Sequence, residues 1–162
     1  MGVKPIMINS ALVSAQNRKR YYWTNIPIKE LPKDRNIKLQ DILENGYADR
    51  DKSLTLTAAY DRAVPYDYFV KKVRQLVFKV NVRELPDIIK KATGLKKHAE
   101  ILRKLTPIEC ERLQTYPDDY TKYGIFDSQT KEISNRQRYK MLGNSFTVDV
   151  IAWILSFIKE EK

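Results

Sequence analysis

Residues 103–114 read Arg103-Lys104-Leu105-Thr106-Pro107-Ile108-Glu109-Cys110-Glu111-Arg112-Leu113-Gln114. Thr106 followed three residues later by Glu109 is a capping box, in which each side chain satisfies an amide at the helix start. Pro107 stands at the first helical position, where its fixed φ already suits a helix. The spacing predicts a helix through Ile108, Cys110, Arg112 and Leu113, stopped soon after by Pro117. Taken alone, the stretch is a well-capped amphipathic helix.

Towards the C-terminus, residues 118–135 are polar and turn-prone, and a second helix is expected from Ser145 to about Lys159. Phe146, Val148, Val150, Ile151, Trp153, Ile154, Leu155, Phe157 and Ile158 make it apolar on nearly every face, so it requires packing inside a larger unit. Gly143-Asn144-Ser145 reads as a tight turn into that helix. Such a turn serves as a simple N-cap or as a seat for a carboxylate or hydroxyls.

Towards the N-terminus, residues 5–9 read as a short buried strand and residues 10–20 as a polar, basic loop. Residues 21–26 are rich in β formers. Two such strands need further partners to cover both faces. A helix is expected over 38–45 with Gly46 at its end, a strand over 54–57, and an alternating strand from Gln75 to Val82. A short helix over 84–93 ends at Gly94.

The chain has 162 residues, 43% of them hydrophobic, which suits one ordinary core. Its net charge is +10, distributed as +4 over residues 1–50, +7 over 51–104 and −1 over 105–162. In the middle third, Arg62, Lys71, Lys72, Arg74, Lys79 and Arg83 mingle with Tyr66, Tyr68, Phe69 and Phe78. Basic and aromatic side chains together suit a surface that holds phosphates and packs on bases, and a solvated lysine-rich face is the plainer alternative. One cysteine, Cys110, excludes an intrachain disulfide and a multi-cysteine zinc site. One histidine, His98, excludes a pair of histidine metal ligands, so no metal site is expected. No apolar run reaches the roughly 18 residues of a membrane span, and no signal pattern opens the chain, so a soluble, intracellular protein is expected.

Three stretches together carry more than any one of them. Gln16-x-Arg18-x-Arg20 before a hydrophobic strand resembles the QxRxR block of DNA (cytosine-5-)-methyltransferases. Residues 103–114, with Tyr116-Pro117-Asp118 behind them, resemble that family's RxLTPxExxRLQ block, and Tyr139-Lys140-Met141-Leu142-Gly143-Asn144-Ser145 resembles the block that follows. The three occur in the family's order over almost the whole chain. The family's Phe-x-Gly-x-Gly cofactor turn, Pro-Cys nucleophile and Glu-Asn-Val acid have no counterpart here.

The resemblance implies an α+β chain, a small target-recognition domain flanked by two strands and a C-terminal helix that belong to a Rossmann-like methyltransferase domain. Residues 1–26 would be the last strands of the catalytic domain, 27–102 the target-recognition segment, and 103–162 the return to the catalytic domain. Function follows as the C-terminal part of an enzyme transferring a methyl group from S-adenosylmethionine to C5 of a flipped cytosine. By resemblance Arg20 steadies the base, Arg18 holds a phosphate, and Gln16 contacts the displaced region. Gly143, Asn144 and Ser145 would line the cofactor, and the basic residues of the middle third would contact double-stranded DNA. The implied partner is an N-terminal methyltransferase half or subunit. The implied setting is a restriction-modification type enzyme in a prokaryotic or phage-like cytoplasm. A non-enzymatic DNA-binding module derived from such an enzyme is the alternative.

Overall fold

The computed structural model describes residues 2–81 and 100–158. Arg83, His98 and the helix expected over 84–93 lie outside the described residues.

The decisive stretch folds as its side chains dictate. Helix α2 (Pro107–Leu113, with α1 given below) begins with the Thr106 hydroxyl accepting from the Glu109 amide at 3.1 Å, while the Glu109 carboxylate accepts from the Thr106 amide at 2.8 Å. Its buried face carries Glu109, Cys110, Glu111 and Leu113.

The described residues form three separate two-stranded antiparallel sheets. Strand β1 (Ile6–Asn9) pairs with β2 (Lys19–Tyr22), setting Ile8 opposite Arg20 and Met7 opposite Tyr21. Strand β3 (Leu76–Phe78) pairs with β4 (Leu102–Lys104), and β5 (Tyr123–Phe126) with β6 (Gln129–Glu132). Asp127 and Ser128 connect the last two with φ of 49° and 61°. Two positive φ values in a two-residue loop mark the turn whose twist matches that of the flanking strands. The short helix α1 spans Pro65–Phe69, and α3 (Asn135–Asn144) and α4 (Val148–Leu155) close the chain.

Two apolar clusters hold these elements. The larger gathers Leu39, Leu56, Tyr60, Leu76, Val77, Phe78, Leu105, Leu113, Tyr139 and Leu142, joining the middle segment to α2 and α3. The smaller joins Ile8 and Val13 to Val150 and Ile154, so α4 packs on one face of β1–β2. Met7 and Tyr21 on the strands and Trp23 just past β2 remain exposed, as do Leu155 and Ile158 at the end of α4.

Several expectations are corrected. Residues 54–57 form no strand: Ser53 just before them makes an isolated bridge to Gln16, the Thr55 hydroxyl donates to the Asn17 carbonyl, and the Leu56 amide donates to the Gln16 side chain. The alternating strand from Gln75 shrinks to β3, whose three residues are all buried, because side chains pack on both of its faces. The helix over 38–45 is a 3-10 turn, Leu39–Ile42. The strand expected at 21–26 begins earlier, at Lys19. The 118–135 stretch contains the β5–β6 hairpin and leads into α3, a helix the sequence reading did not anticipate, and the helix expected from Ser145 starts later, as α4. Gly143 and Asn144 end α3, and α4 starts after Thr147.

Candidate functional site

Arg18 is the hub of a buried junction. Its side chain is buried, and its guanidinium donates to the carbonyls of Leu56 (2.8 Å), Ser145 (2.7 Å) and Gly143 (3.3 Å). Burial lowers the Arg18 pKa, and the positive charge of Arg20 lowers it further. Its Nε is buried without a hydrogen-bond partner. A guanidinium engaged by three carbonyls inside the protein is not open to DNA, which corrects the expectation that Arg18 holds a phosphate.

Gln16 is fully buried beside it. Its amide nitrogen donates to Leu113 O (2.7 Å) and Gln114 Oε1 (2.9 Å), and its oxygen accepts from the Leu56 amide (3.2 Å). Gln114 in turn donates to Leu142 O at 2.8 Å and accepts from the Thr147 hydroxyl at 3.0 Å. A buried amide must have its donors and acceptor met. Here the partners come from two distant segments, and Gln114 extends the network to Leu142 and Thr147, so Gln16 is a clasp and does not reach displaced DNA.

The charges of the α2 block are likewise internal. Glu109 takes both Nη atoms of Arg103 at 2.7 and 2.8 Å, and also accepts from the Glu44 amide. Glu111, also fully buried, accepts from the amides of Asp119 and Thr121 and from Arg138. Arg112 clasps Asp118 through two bonds, and that hydrogen bonding lowers the Asp118 pKa. Thus the stretch most legible in the sequence is a scaffold. Cys110 within it is wholly buried, and burial pushes its thiol well above the ordinary range.

Gly143 is also structural. A Cβ there would fall inside the backbone of Thr57 and Ala58, so the absent side chain lets α3 press against the middle segment. This corrects the expectation that Gly143 makes room for a cofactor. The Ser145 hydroxyl donates to Leu142 O at 3.1 Å and keeps its acceptor capacity. The Asn144 side chain, exposed between these two, has no hydrogen-bond partner among the described residues.

Arg20 is exposed, and its guanidinium donates to the carbonyl of Lys19 at 2.8 Å. Two residues apart on an extended segment share a side, yet Arg18 and Arg20 separate because Arg18 precedes β2 and turns into the junction.

The basic candidates of the middle segment do not converge. Lys71 lies 3.9 Å from Asp67 and over the Tyr66 ring, and Arg74 is held on the same Asp67 at 2.5 Å. Arg74 is thus held in place by a buried carboxylate, with part of its side chain still at the surface. Lys72 and Lys79 are exposed. Arg62 lines a cleft of about 540 Å³ with Ala58, Ala59, Asp61, Ser134, Arg136, Gln137 and Lys140. Arg136 and Lys140 went unnoticed in the sequence because α3 is too polar to show an apolar period. Their spacing of four was the available signal.

Residues 7–160 match the model of the C-5 cytosine-specific DNA methylase family. The chain belongs to that family. Over 59 residues, this family member is 44% identical to DNA (cytosine-5)-methyltransferase DRM1 of Arabidopsis thaliana, covering 35% of the chain and 8% of the relative. Over 65 residues it is 41% identical to the orphan methyltransferase M.Rho11sI of Bacillus phage rho11s, covering 37% of the chain and 12% of the relative. Among solved structures it superposes on a mutant of Spodoptera frugiperda DNMT2 with a TM-score of 0.64 at 19% identity, covering 95% of this chain and 56% of that one. Against Entamoeba histolytica EhMeth the TM-score is 0.61 at 18% identity, covering 98% and 54%. The methylase-family chain thus has a mixed helix and strand fold resembling these enzymes. It spans about half the length of the solved relatives and about a tenth of the curated ones.

Proposed function

We propose that this chain is the C-terminal portion of a DNA cytosine-5 methyltransferase and supplies target recognition, a base-contacting arginine and one wall of the cofactor site. The reading rests chiefly on the Arg18 junction. It draws the QxRxR block, the middle segment and the Gly143–Ser145 turn to one point, and leaves two polar groups free at its edge. Arg20 lies two residues beyond Arg18, and Asn144 lies between the two residues whose carbonyls Arg18 holds.

In such an enzyme a thiolate adds to C6 of a cytosine turned out of the duplex, because neither C5 nor C6 is accessible in the stack. The addition pushes electron density onto O2 and N3. A cation fixed beside O2 stabilises the charge as it develops. Arg20, exposed on a strand whose base is anchored by Arg18, is the residue for that role. S-adenosylmethionine, when bound, supplies the methyl group, and the residues here fit it in part. Asn144 is free to hold its polar end and Ser145 retains an acceptor, whereas Gly143 is occupied by packing. Buried Cys110 is not a nucleophile, so the thiolate belongs to a portion outside these 162 residues.

The exposed Met7, Tyr21 and Trp23 support the same view. A two-stranded sheet is marginal alone, and an aromatic patch of this kind marks a surface that another part of the enzyme covers. This favours a catalytic portion over a free-standing DNA-binding module.

The test is reconstitution with an N-terminal methyltransferase portion that carries the Gly-rich turn and Pro-Cys loop. With labelled S-adenosylmethionine and mixed-sequence duplex DNA, the pair is expected to label DNA and either part alone is not. Label transferred by this chain alone, or none by the pair, overturns the reading.

A further inference from the structure

The cleft between the middle segment and α3 is lined by three cations, Arg62, Arg136 and Lys140, against one carboxylate, Asp61. The Arg136 guanidinium is mostly exposed and stands 3.7 Å from Asp61, while Arg62 and Lys140 have no ion-pair partner among the described residues. A fourth cation lies at the rim, since Lys104 Nζ donates to the Asp61 carbonyl. The cleft wall is rigid. Gly143 is pressed into Thr57–Ala58 on one side, and Arg138 on the same helix is anchored to buried Glu111 on the other.

Helical geometry then orders the surface. Residues four apart lie on one face of a helix, so Arg136, Lys140 and Asn144 form one row along α3. The row runs from the basic cleft to the free amide of Asn144, beside the Arg18 junction. Two exposed cations about one helical turn apart, close to 5.4 Å in pitch, match the spacing of successive phosphates along a strand, roughly 6–7 Å by the 3.4 Å rise and the helical path.

We propose that Arg136 and Lys140, with Arg62 across the cleft, hold the sugar-phosphate backbone of duplex DNA and guide it to the Asn144 end of α3. The chemistry of the cleft selects a polyanion with extended phosphates: cations fixed on rigid walls, with Ser134 and Gln137 as hydrogen-bonding groups beside them. Such contacts position the duplex and carry no base information. The inference rests on the DNA-modifying reading above and assigns to it residues from a third of the chain whose net charge is slightly negative.

The experiment titrates the full chain with a fluorescein-labelled mixed-sequence duplex across a salt series. The double variant Arg136→Ala with Lys140→Ala is compared with Lys4→Ala with Lys131→Ala, which removes the same charge from exposed positions outside the target-recognition segment. Each phosphate contact contributes about 0.9 to the slope of log K against log salt. The α3 double variant is expected to lower that slope by about 2, and the control to leave it unchanged. Arg62→Ala should lower it by about 1. An unchanged slope in the α3 variant, or an equal fall in the control, overturns the placement of DNA in this cleft while the DNA reading stands. Failure of the wild-type chain to bind the duplex at low salt overturns both.

Discussion

Arg18 and Gly143 lie 125 residues apart in the chain, yet the Arg18 guanidinium donates to the Gly143 carbonyl at 3.3 Å. The same side chain holds Leu56 and Ser145. Replacing it by Met leaves three carbonyls without their donor, and a buried unsatisfied group costs about 1–3 kcal/mol. Relief from burying a charge offsets part of that loss. Arg18→Met is expected to destabilise the chain by about 2–4 kcal/mol in denaturant titrations. Arg20→Met, at an exposed site, should stay within about 0.5 kcal/mol. Equal stability of the two variants would remove Arg18 from the centre of the junction.

Gly143 offers a test in which the sign alone is informative. Within a helix, Gly to Ala ordinarily stabilises by about 1 kcal/mol. Here the added methyl enters the Thr57–Ala58 backbone, and overpacking of that kind costs about 1–3 kcal/mol. Gly143→Ala should therefore lower the melting temperature, while Asn144→Ala at the neighbouring exposed position changes it little. A stabilised Gly143→Ala would show that α3 does not press on the middle segment.

Asp49 makes the fold sensitive to acid. Burial alone raises its pKa, but hydrogen bonds from Arg50, Tyr68 and Gln75 outweigh that and leave it lowered. A carboxyl lowered in the folded state adds stability above its unfolded value of about 3.9, and that stability is lost as pH falls through the folded value. The melting temperature of the wild type should exceed that of Asp49→Asn at pH 6, with the gap closing below about pH 4. A gap that does not narrow as the pH falls below about 4 would place the effect outside the charge.

The sequence made the α2 block legible because its capping box and proline act within four residues, and those local terms survived folding intact. The purpose of its polar letters was not legible. Arg103 reaches the Asn45 carbonyl, Glu109 the Glu44 amide, and Glu111 pairs with Arg138, all far apart in the chain, and no local pattern signals such pairing. The same holds for Arg18, whose likeness to a phosphate-binding residue hid a partner set made of carbonyls. Helix α3 escaped notice because its residues are polar and its buried side includes an arginine. The β5–β6 hairpin escaped because Asp127-Ser128 lacks the glycine that usually announces a turn with two positive φ values.

Cys110 gives a direct check on the location of the nucleophile. A thiol that is wholly buried, with its pKa pushed up by burial, presents little thiolate to a reagent. Reaction with a disulfide dye should be negligible in the native chain over minutes and complete once denaturant is added. Rapid modification of the folded protein would reopen Cys110 as a reactive group.

The role of Arg20 is best separated from plain basicity by its neighbour. Lys19 and Arg20 are both exposed on β2, and successive side chains of a strand point to opposite sides. Only Arg20 shares a side with Ile8, its partner across the sheet, so only one of the two cations faces any given ligand. Loss of a charge-assisted contact to a developing oxyanion costs about 3 kcal/mol, or roughly a hundredfold in rate. Loss of a solvated lysine costs well under about 1 kcal/mol. In single-turnover methylation by the reconstituted pair, which isolates the chemical step from product release, Arg20→Ala is expected to slow the reaction about a hundredfold. Lys19→Ala should slow it less than about threefold. Equal losses would mean that the stretch contributes only general attraction to DNA, and Arg20 would lose its place beside the base.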